Sequence, residues 1–118
     1  MACPEETAFL DLVRTCDLLS RGPAQVLKTE DLSATQYNVL RILRGAEPNG
    51  LACSNIGERM ISHDPDMTRL LDRMEKRGLI TRHRQTDDRR VVKTRITPRA
   101  LSLLKTLDQP VHLSLIHI

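Results

Sequence analysis

The hydrophobic period of the sequence changes abruptly at Gly78, and this change limits the possible folds more than any other feature. Before it, Met67, Leu70, Leu71 and Met74 follow the i, i+3, i+4, i+7 spacing of an amphipathic helix. After it, "LITRHRQ" and "RVVKTRIT" alternate β-branched with charged residues, as strands do. The polar connector "TDDR" has the length of a hairpin turn. The sequence therefore predicts a helix that leads directly into a β-hairpin.

Two helical patterns precede that segment. Residues 5–21 carry an apolar stripe wider than one core contact needs, which suggests packing on two sides, including against a partner subunit. Pro23 is expected to break or kink this helix, and 24–28 is a candidate continuation. In "LSATQYNVLRILRG", Ser33 is the predicted N-cap and Gln36 completes a capping box. The buried face of this second helix is predicted to consist of Tyr37, Val39, Leu40 and Leu43.

The next two helices predict a helix-turn-helix. A short helix covers about 54–61, with Cys53 or Ser54 at its start. Its predicted apolar contacts are Ile56, Met60 and Ile61. In the second helix, Asp64 is the predicted N-cap, and Pro65 occupies the first helical position, where its missing N–H costs nothing. Gly78 ends that helix. Its outward face carries Arg69, Asp72, Arg73 and Lys76.

A last helix begins at Thr97-Pro98, which repeats the combination of a capping residue and a proline. Its apolar stripe is predicted to contain Leu101, Leu104, Leu107 and Val111. The tail "LSLIHI" has neither a stop signal nor a helical stripe of its own, so we expect that it is not a native continuation from about Leu113 onward.

The composition excludes several classes of protein. A chain of 118 residues suits one domain with one core. Aromatic residues make up only 2% of it, so the core must consist of Leu, Ile, Val, Met and Ala, which favours helices. No apolar run is long enough to cross a bilayer, and the acidic start "MACPEETAF" is unlike a signal peptide. We therefore expect a cytoplasmic protein that has no membrane partner.

The net charge of +3 conceals an asymmetric distribution. Residues 1–68 contain six Lys or Arg against ten Asp or Glu, whereas residues 69–99 contain eleven against four. A basic block inside a nearly neutral protein favours an anionic partner, with nucleic acid first. We expect these cations to converge on one surface that fits a duplex.

A helix-turn-helix followed by a basic hairpin is a winged helix-turn-helix. Its second helix is narrow enough to enter the major groove of DNA, and the hairpin beside it reaches the backbone or the minor groove. Arg89 and Arg90 at the hairpin tip suit a narrow minor groove. The neighbouring carboxylates would repel phosphate unless one of them pairs with an arginine and sets its direction. The predicted fold is mainly α with a small β-hairpin, flanked by dimerisation helices.

The segments "LSATQYNVLRIL", "SNIGERM", "DPDMTRLLDRMEKRGLITR" and "DDRRVVKTRIT" follow one another between about Leu32 and Thr97. In this order and spacing they resemble the MarR family of bacterial transcriptional regulators. The resemblance implies a homodimer that binds a pseudo-palindromic operator, usually as a repressor. It also implies release of double-stranded DNA by a small phenolic or other aromatic ligand, or by an oxidant. The corresponding regions are 1–31 for dimerisation, 32–97 for DNA binding, and 98–118 as a truncated dimerisation helix.

The resemblance also assigns individual residues. The family's wing motif falls on Asp88 and Arg90, so Arg90 would enter the minor groove while Asp88 holds it. On the recognition helix, the DNA-facing positions correspond to the start of the helix and to Arg73. The predicted DNA-binding residues are Ser54, Asn55, Asp66, Thr68, Arg69, Arg73, Asp88, Arg89 and Arg90. Ala100 departs from the family, which usually has glycine there, and it is expected to shift the start of the last helix slightly.

Two alternatives remain open at the level of sequence. A winged helix can bind protein instead of DNA, although such a module would not need Arg69, Arg73, Arg89 and Arg90 on one side. One branch of the family senses oxidants through a cysteine on the first helix, which would be Cys16 here, yet a buried, inert thiol is the preferred interpretation. Enzymatic motifs and metal-ligand spacings are absent from the sequence, so we predict no enzyme activity, no cofactor and no metal.

Overall fold

The computed structural model describes residues 3–88 and 90–116. It contains helices and one small sheet, as the sequence predicts. In chain order the elements are α1 (Pro4–Lys28), α2 (Ala34–Gly45), β1 (Leu51–Ala52), α3 (Cys53–Arg59), α4 (Met67–Lys76), β2 (Ile80–Arg84), β3 (Val92–Ile96) and α5 (Pro98–Ile116).

The sheet has three antiparallel strands in the order β1-β3-β2, rather than the two that the sequence predicts. β2 and β3 form the expected hairpin, which pairs Ile80 with Ile96 at one end and Arg84 with Val92 at the other. The additional strand, β1, pairs Leu51 with the buried Thr94. β1 was not predicted, because two residues are too few to show an alternating pattern.

Helix α1 is continuous from Pro4 to Lys28 and includes Pro23, so the predicted break is wrong, whereas the helical continuation over 24–28 is confirmed. The second half of α1 packs against α5. The backbones approach closely at Gly22, where a side-chain Cβ would lie 2.9 Å from the Ser114 carbonyl oxygen. Leu27, just beyond the proline, is buried. This tertiary packing stabilises the helix beyond Pro23, which local preference alone would not do.

The start of α4 also differs from the prediction. Asp66, not Asp64, is the N-cap, and its Oδ1 accepts a hydrogen bond from the Arg69 N–H at 3.0 Å. The Asp64 carboxylate instead accepts from the Asp66 N–H at 2.8 Å, which forms a turn in front of the helix. Pro65 lies in that turn, outside the helix.

The short helix α3 starts one residue earlier and ends two residues earlier than predicted. Ala52 precedes it without a side-chain cap, and Cys53 is its first residue. Ile56 is buried as expected, but the Ile61 side chain is 88% exposed and is not a core contact. The reason is that the chain turns to extended geometry at Met60, so Ile61 leaves the apolar face of the helix.

Two of the helix ends predicted from the sequence are confirmed. The predicted capping box of α2 is present, since Ser33 Oγ accepts from the Gln36 N–H and Gln36 Oε1 accepts from the Ser33 N–H. Gly78 ends α4 with φ +74°, as predicted.

The hydrophobic core joins all the helices to the sheet. Its buried residues include Val39, Leu40, Leu43, Leu71, Met74, Ile80, Ile96, Ala100, Leu104, Leu107 and Val111. Tyr37 and Leu101 are only partly buried against this core.

Helix α5 begins at Pro98, and Thr97 Oγ1 accepts a hydrogen bond from the Ala100 N–H at 3.2 Å. Ala100 is fully buried, and the start of the helix is where the sequence places it. The helix continues through Leu113 to Ile116 and contains Pro110, although no helical stripe is visible there in the sequence. Residues 117–118 of the tail lie outside the described residues. Across the described ranges, none of the helices combines the length and apolarity needed to span a membrane.

Candidate nucleic-acid interface

Helices α3 and α4 and the β2-β3 hairpin form the predicted winged helix-turn-helix. Ser54 and Asn55 lie in the first turn of α3, and both are exposed. The Ile61 N–H at the turn donates to Asn38 Oδ1 at 2.9 Å, which connects the turn to α2. The polar start of α3 therefore faces solvent while Ile56 anchors the helix to the core.

Helix α4 has one buried and one exposed face. Leu71 and Met74 are buried, whereas Thr68, Arg69 and Arg73 are exposed. In the described part of the chain, the guanidinium groups of Arg69 and Arg73 have no carboxylate partner and no hydrogen bond. Two positive charges one helical turn apart are thus available to an external ligand.

Asp66 was predicted to face DNA, but its carboxylate caps α4. The hydrogen bond to the Arg69 N–H satisfies one of the free backbone donors at the start of the helix. The negative charge also lies at the positive end of the helix dipole, which is favourable. Its structural role is therefore clear from the geometry, and any contact with a ligand would be additional.

The tip of the wing contains the predicted Asp88–Arg90 pair. Asp88 Oδ1 accepts from the Arg90 backbone N–H at 3.0 Å and lies 3.5 Å from its Nε. The Gln85 N–H donates to the Val91 carbonyl at 2.9 Å and closes the hairpin. The Arg90 side chain remains 93% exposed, so Asp88 restrains its base while the guanidinium extends into solvent. Arg89 lies outside the described residues.

Arg82 on β2 links the wing to α4, a contact that was not predicted from the sequence. Its Nη2 donates to Asp72 Oδ1 at 2.5 Å and to Glu75 Oε1 at 2.8 Å. The hydrogen bond from Arg82 lowers the pKa of Glu75, and the bonds to Glu75 and Asp72 raise the pKa of Arg82. The one available indication was the i, i+3 spacing of the two acids, which places them on one helix face.

The basic block does not converge on a single surface as a whole, which corrects the sequence-based expectation. Arg77 donates to the Asp31 carbonyl at 2.7 Å, Arg95 pairs with Glu47 at 2.8 Å, and Arg99 donates to the Arg77 carbonyl at 3.1 Å. These arginines hold elements together, and so does Arg82. Within the described ranges, the cations left without such contacts include Arg69 and Arg73 on the exposed face of α4.

A cavity of about 540 Å³ lies between α1, α2 and the helix-turn-helix turn. Its lining is mainly apolar, with Tyr37, Asn38 and Arg41 as the polar groups on one side. The Arg41 guanidinium lies 5.8 Å from the centroid of the Tyr37 ring. Cys16 also lines this cavity and is exposed, so the predicted buried cysteine is wrong.

Large apolar side chains remain exposed on α1 and at the end of α5. Phe9 and Leu12 are 63% and 66% exposed on α1. The others are Leu10, Val13, Leu18, Leu19, Leu113, Leu115 and Ile116. Exposed apolar side chains in this number on neighbouring helices are typical of a protein interface.

The remaining candidate ligands are dispersed. His63, His83 and His112 are exposed, and His117 lies outside the described residues. Over 3–88 and 90–116, no three side chains of His, Cys, Asp or Glu are arranged to hold a metal ion.

Comparison with known proteins supports the fold and the motifs. The family model described as "MarR family" matches residues 32–92. The HTH-type transcriptional regulator YfiV of Bacillus subtilis is 35% identical over 85 residues, covering 72% of this chain and 52% of its own length. The transcriptional repressor MprA of Escherichia coli K12 is 27% identical over 88 residues, covering 75% of this chain and 50% of its own. The chain thus spans about half the length of these curated relatives.

The solved structures include a MarR transcription factor from Planctomyces limnophilus. It is 40% identical in sequence and superposes with a TM-score of 0.81 over 97% of this chain and 82% of its own. Both the winged helix-turn-helix and the flanking helices α1 and α5 fall within the superposed length.

Proposed function

Because the chain belongs to the MarR family, we propose that it is a regulator of transcription that binds double-stranded DNA and acts as a repressor. The name of MprA supports the repressor role, and the names of the other relatives support regulation of transcription. Such a protein would work in the cytoplasm, where its operator is accessible.

The observation that carries this proposal is the arrangement of cations on α4 and the wing. Arg69 and Arg73 are exposed on α4 and have no carboxylate partner among residues 3–88 and 90–116, and Arg90 extends from the wing with Asp88 at its base. A helix in the major groove places such side chains against base edges and phosphates, and a slim guanidinium suits the minor groove. A surface that binds a neutral protein would not favour unpaired cations, because charged residues are depleted at the centre of protein–protein interfaces.

The proposed roles differ among the residues. Thr68, Arg69 and Arg73 would face the bases and phosphates of the major groove, with Asp66 holding the start of α4. Ser54 and Asn55 would hold phosphates from the first turn of α3. Arg90 would enter the minor groove, guided by Asp88, and Arg89 would lie along the backbone beside it.

We further propose a homodimer that binds a pseudo-palindromic operator. The exposed apolar residues of α1 and the end of α5, such as Phe9, Leu12 and Leu113, form a surface whose exposure to water is unfavourable. Pairing of two chains through these helices would place two copies of α4 on the DNA roughly 34–36 Å apart, one turn of the duplex. Sedimentation of a Phe9→Ser/Leu12→Ser variant should show a shift toward monomer if this surface forms the dimer.

The cavity between α1 and α2 is the proposed site for a small phenolic or other aromatic ligand. Its apolar lining can accept a ring, while Tyr37, Asn38 and Arg41 can orient the polar group of the ligand. The cavity also touches Ile61 in the helix-turn-helix turn. A ligand there would contact both the dimerisation helix and the DNA-binding unit, which is the requirement for releasing DNA.

The test of DNA binding uses Arg90→Ala and a charge-matched control. Lys105→Ala removes one exposed cation from α5, at a distance in sequence from the wing. At fixed salt, Arg90→Ala should weaken binding to a selected operator by about 1–3 kcal/mol, whereas Lys105→Ala should not. Fluorescence anisotropy with labelled duplexes measures both. Equal affinities for wild type and Arg90→Ala would refute the wing role, and absence of DNA binding by the wild type would favour a protein-binding module.

A further inference from the structure

A second group of cations surrounds a cleft between the end of α1, the start of α2 and the end of α4. The cleft has a volume of about 670 Å³, and its lining includes Lys28, Arg73, Lys76 and Arg77. Among the described residues, Asp31 is the one acidic residue in that lining. Four positive charges therefore face a single negative charge across a concave surface.

The cations of this cleft differ from the arginines that form ion pairs elsewhere in the molecule. In the described residues, Arg21, Arg44, Arg82, Arg90 and Arg95 each contact a carboxylate. By contrast, over the same ranges the side chains of Lys28, Arg73 and Lys76 have neither an ion pair nor a hydrogen bond. Cations brought together without a partner repel one another, and binding of an anion removes that cost.

Arg77 gives the cleft a fixed charge. Its Nη1 donates to the Asp31 carbonyl at 2.7 Å and to Gln36 Oε1 at 3.3 Å. These acceptors are neutral groups, so they orient the guanidinium without cancelling its charge. Ala34, which also lines the cleft, lies in the first turn of α2, where the helix dipole adds a partial positive charge.

We propose that this cleft binds a phosphoryl group through Lys28, Arg73 and Lys76, with Arg77 as the oriented charge. A compact oxyanion suits these residues because lysine binds phosphate as a point charge and arginine as a fork. Arg69, Arg73 and Lys76 lie at i, i+4 and i+7 on α4, so the proposed site continues the exposed cationic stripe of that helix.

The phosphoryl group has two sources with the same chemistry. It belongs either to the backbone of bound DNA or to a free phosphorylated small molecule. In the second case Arg73 would be shared between the small molecule and DNA, and the small molecule would compete with DNA. Binding of a phosphoryl group in the cleft does not depend on the proposed function. The assignment of that group to DNA rests on the proposed function.

The first arm of the test uses inorganic phosphate and the full chain. NMR spectra of the amide groups are recorded as phosphate replaces chloride at constant ionic strength. If the source is free, the amides of Lys28, Leu32 and Lys76 should shift together, and the Lys28→Ala/Lys76→Ala variant should bind phosphate at least about tenfold more weakly. The control Lys105→Ala should bind it like the wild type.

The second arm measures DNA affinity against salt concentration. If the source is the DNA backbone, each lysine removed from the cleft should reduce the slope of log K against log salt by about 0.9, and Lys105→Ala should leave the slope unchanged. Phosphate shifts in the cleft or a reduced slope supports the site and identifies its source. If the experiments show neither of these effects, the proposal is overturned. If the wild type does not bind DNA at all, the proposed function fails, and the phosphate titration alone decides on the cleft.

Discussion

Replacement of Arg82 by methionine should loosen the attachment of α4 to the wing. Methionine keeps most of the apolar stem of the side chain but removes the guanidinium that contacts Asp72 and Glu75. The two carboxylates then remain next to each other on α4 without their shared cation. The expected result is a lower free energy of unfolding.

The size of this effect follows from the exposure of the three side chains. Arg82 is 22% exposed, whereas Asp72 is 49% and Glu75 is 41% exposed. Fully exposed ion pairs contribute about 0–1 kcal/mol, and hydrogen bonds to charged groups in less exposed places about 1.5–3 kcal/mol. Because the cation is mostly shielded but its partners are half in water, we expect a loss of about 1–2 kcal/mol in total.

The assay is urea unfolding at a fixed protein concentration, since dimerisation would make stability depend on concentration. Arg95→Met is the matched control, because it also breaks a two-bond contact, with Glu47, but at a side chain that is 45% exposed. Its loss should be smaller than that of Arg82→Met. Equal losses for the two variants would refute the argument that shielding from solvent gives the Arg82 contacts their strength.

The same contact predicts a dependence on pH. Arg82 lowers the pKa of Glu75 in the folded protein, so the folded state binds the proton of this carboxyl less readily than the unfolded state. The stabilisation is therefore complete above the unfolded pKa of glutamate, about 4.3, and is lost as the pH falls through the lowered folded pKa. The stability difference between wild type and Glu75→Gln should be constant near neutral pH and should shrink below about pH 4.

Two further substitutions test the fold. Gly50→Ala should destabilise the protein by more than about 1 kcal/mol in urea unfolding, because Gly50 has φ +76° and a new Cβ would lie 2.6 Å from the Thr94 carbonyl oxygen. In the control Gly45→Ala, the new Cβ meets none of the described residues within 4 Å and the substitution should be neutral or stabilising, so a similar loss at both positions would contradict this reasoning. Met74→Ala should cost about 2–5 kcal/mol, because Met74 is completely buried. A loss below about 1 kcal/mol in the same assay would show that the core collapses around the missing side chain.

Where neighbours along the chain supply the interaction, the structure confirms the predicted contact. The capping box of Ser33 and Gln36, the stop at Gly78 and the start of α5 at Thr97 all depend on partners within a few residues. The Asp88–Arg90 pair is of the same kind, because two residues at a turn reach each other whatever the rest of the fold does. The alternation of β2 and β3 likewise predicts which hairpin forms.

Where a local preference competes with packing, the sequence was misleading. Pro23 weakens a helix locally, yet the contact of α1 with α5 carries the helix through it. Both Asp64 and Asp66 are good caps, and the position of the turn decides between them. β1 exists because β3 offers a free edge to Leu51, a contact with a residue more than forty positions away.

Short-range chemistry in the sequence was sufficient to predict the winged helix-turn-helix and the cationic character of residues 69–99, and the family resemblance assigned the wing pair to Asp88 and Arg90. The tertiary structure decided which of those cations are available. Arg77, Arg82 and Arg95 bind acceptors from other elements, whereas Arg73 and Lys76 meet Lys28 across a cleft. The charge of each residue is known from the sequence. Whether that charge is neutralised depends on distances between residues far apart in the chain, and only folding sets those distances.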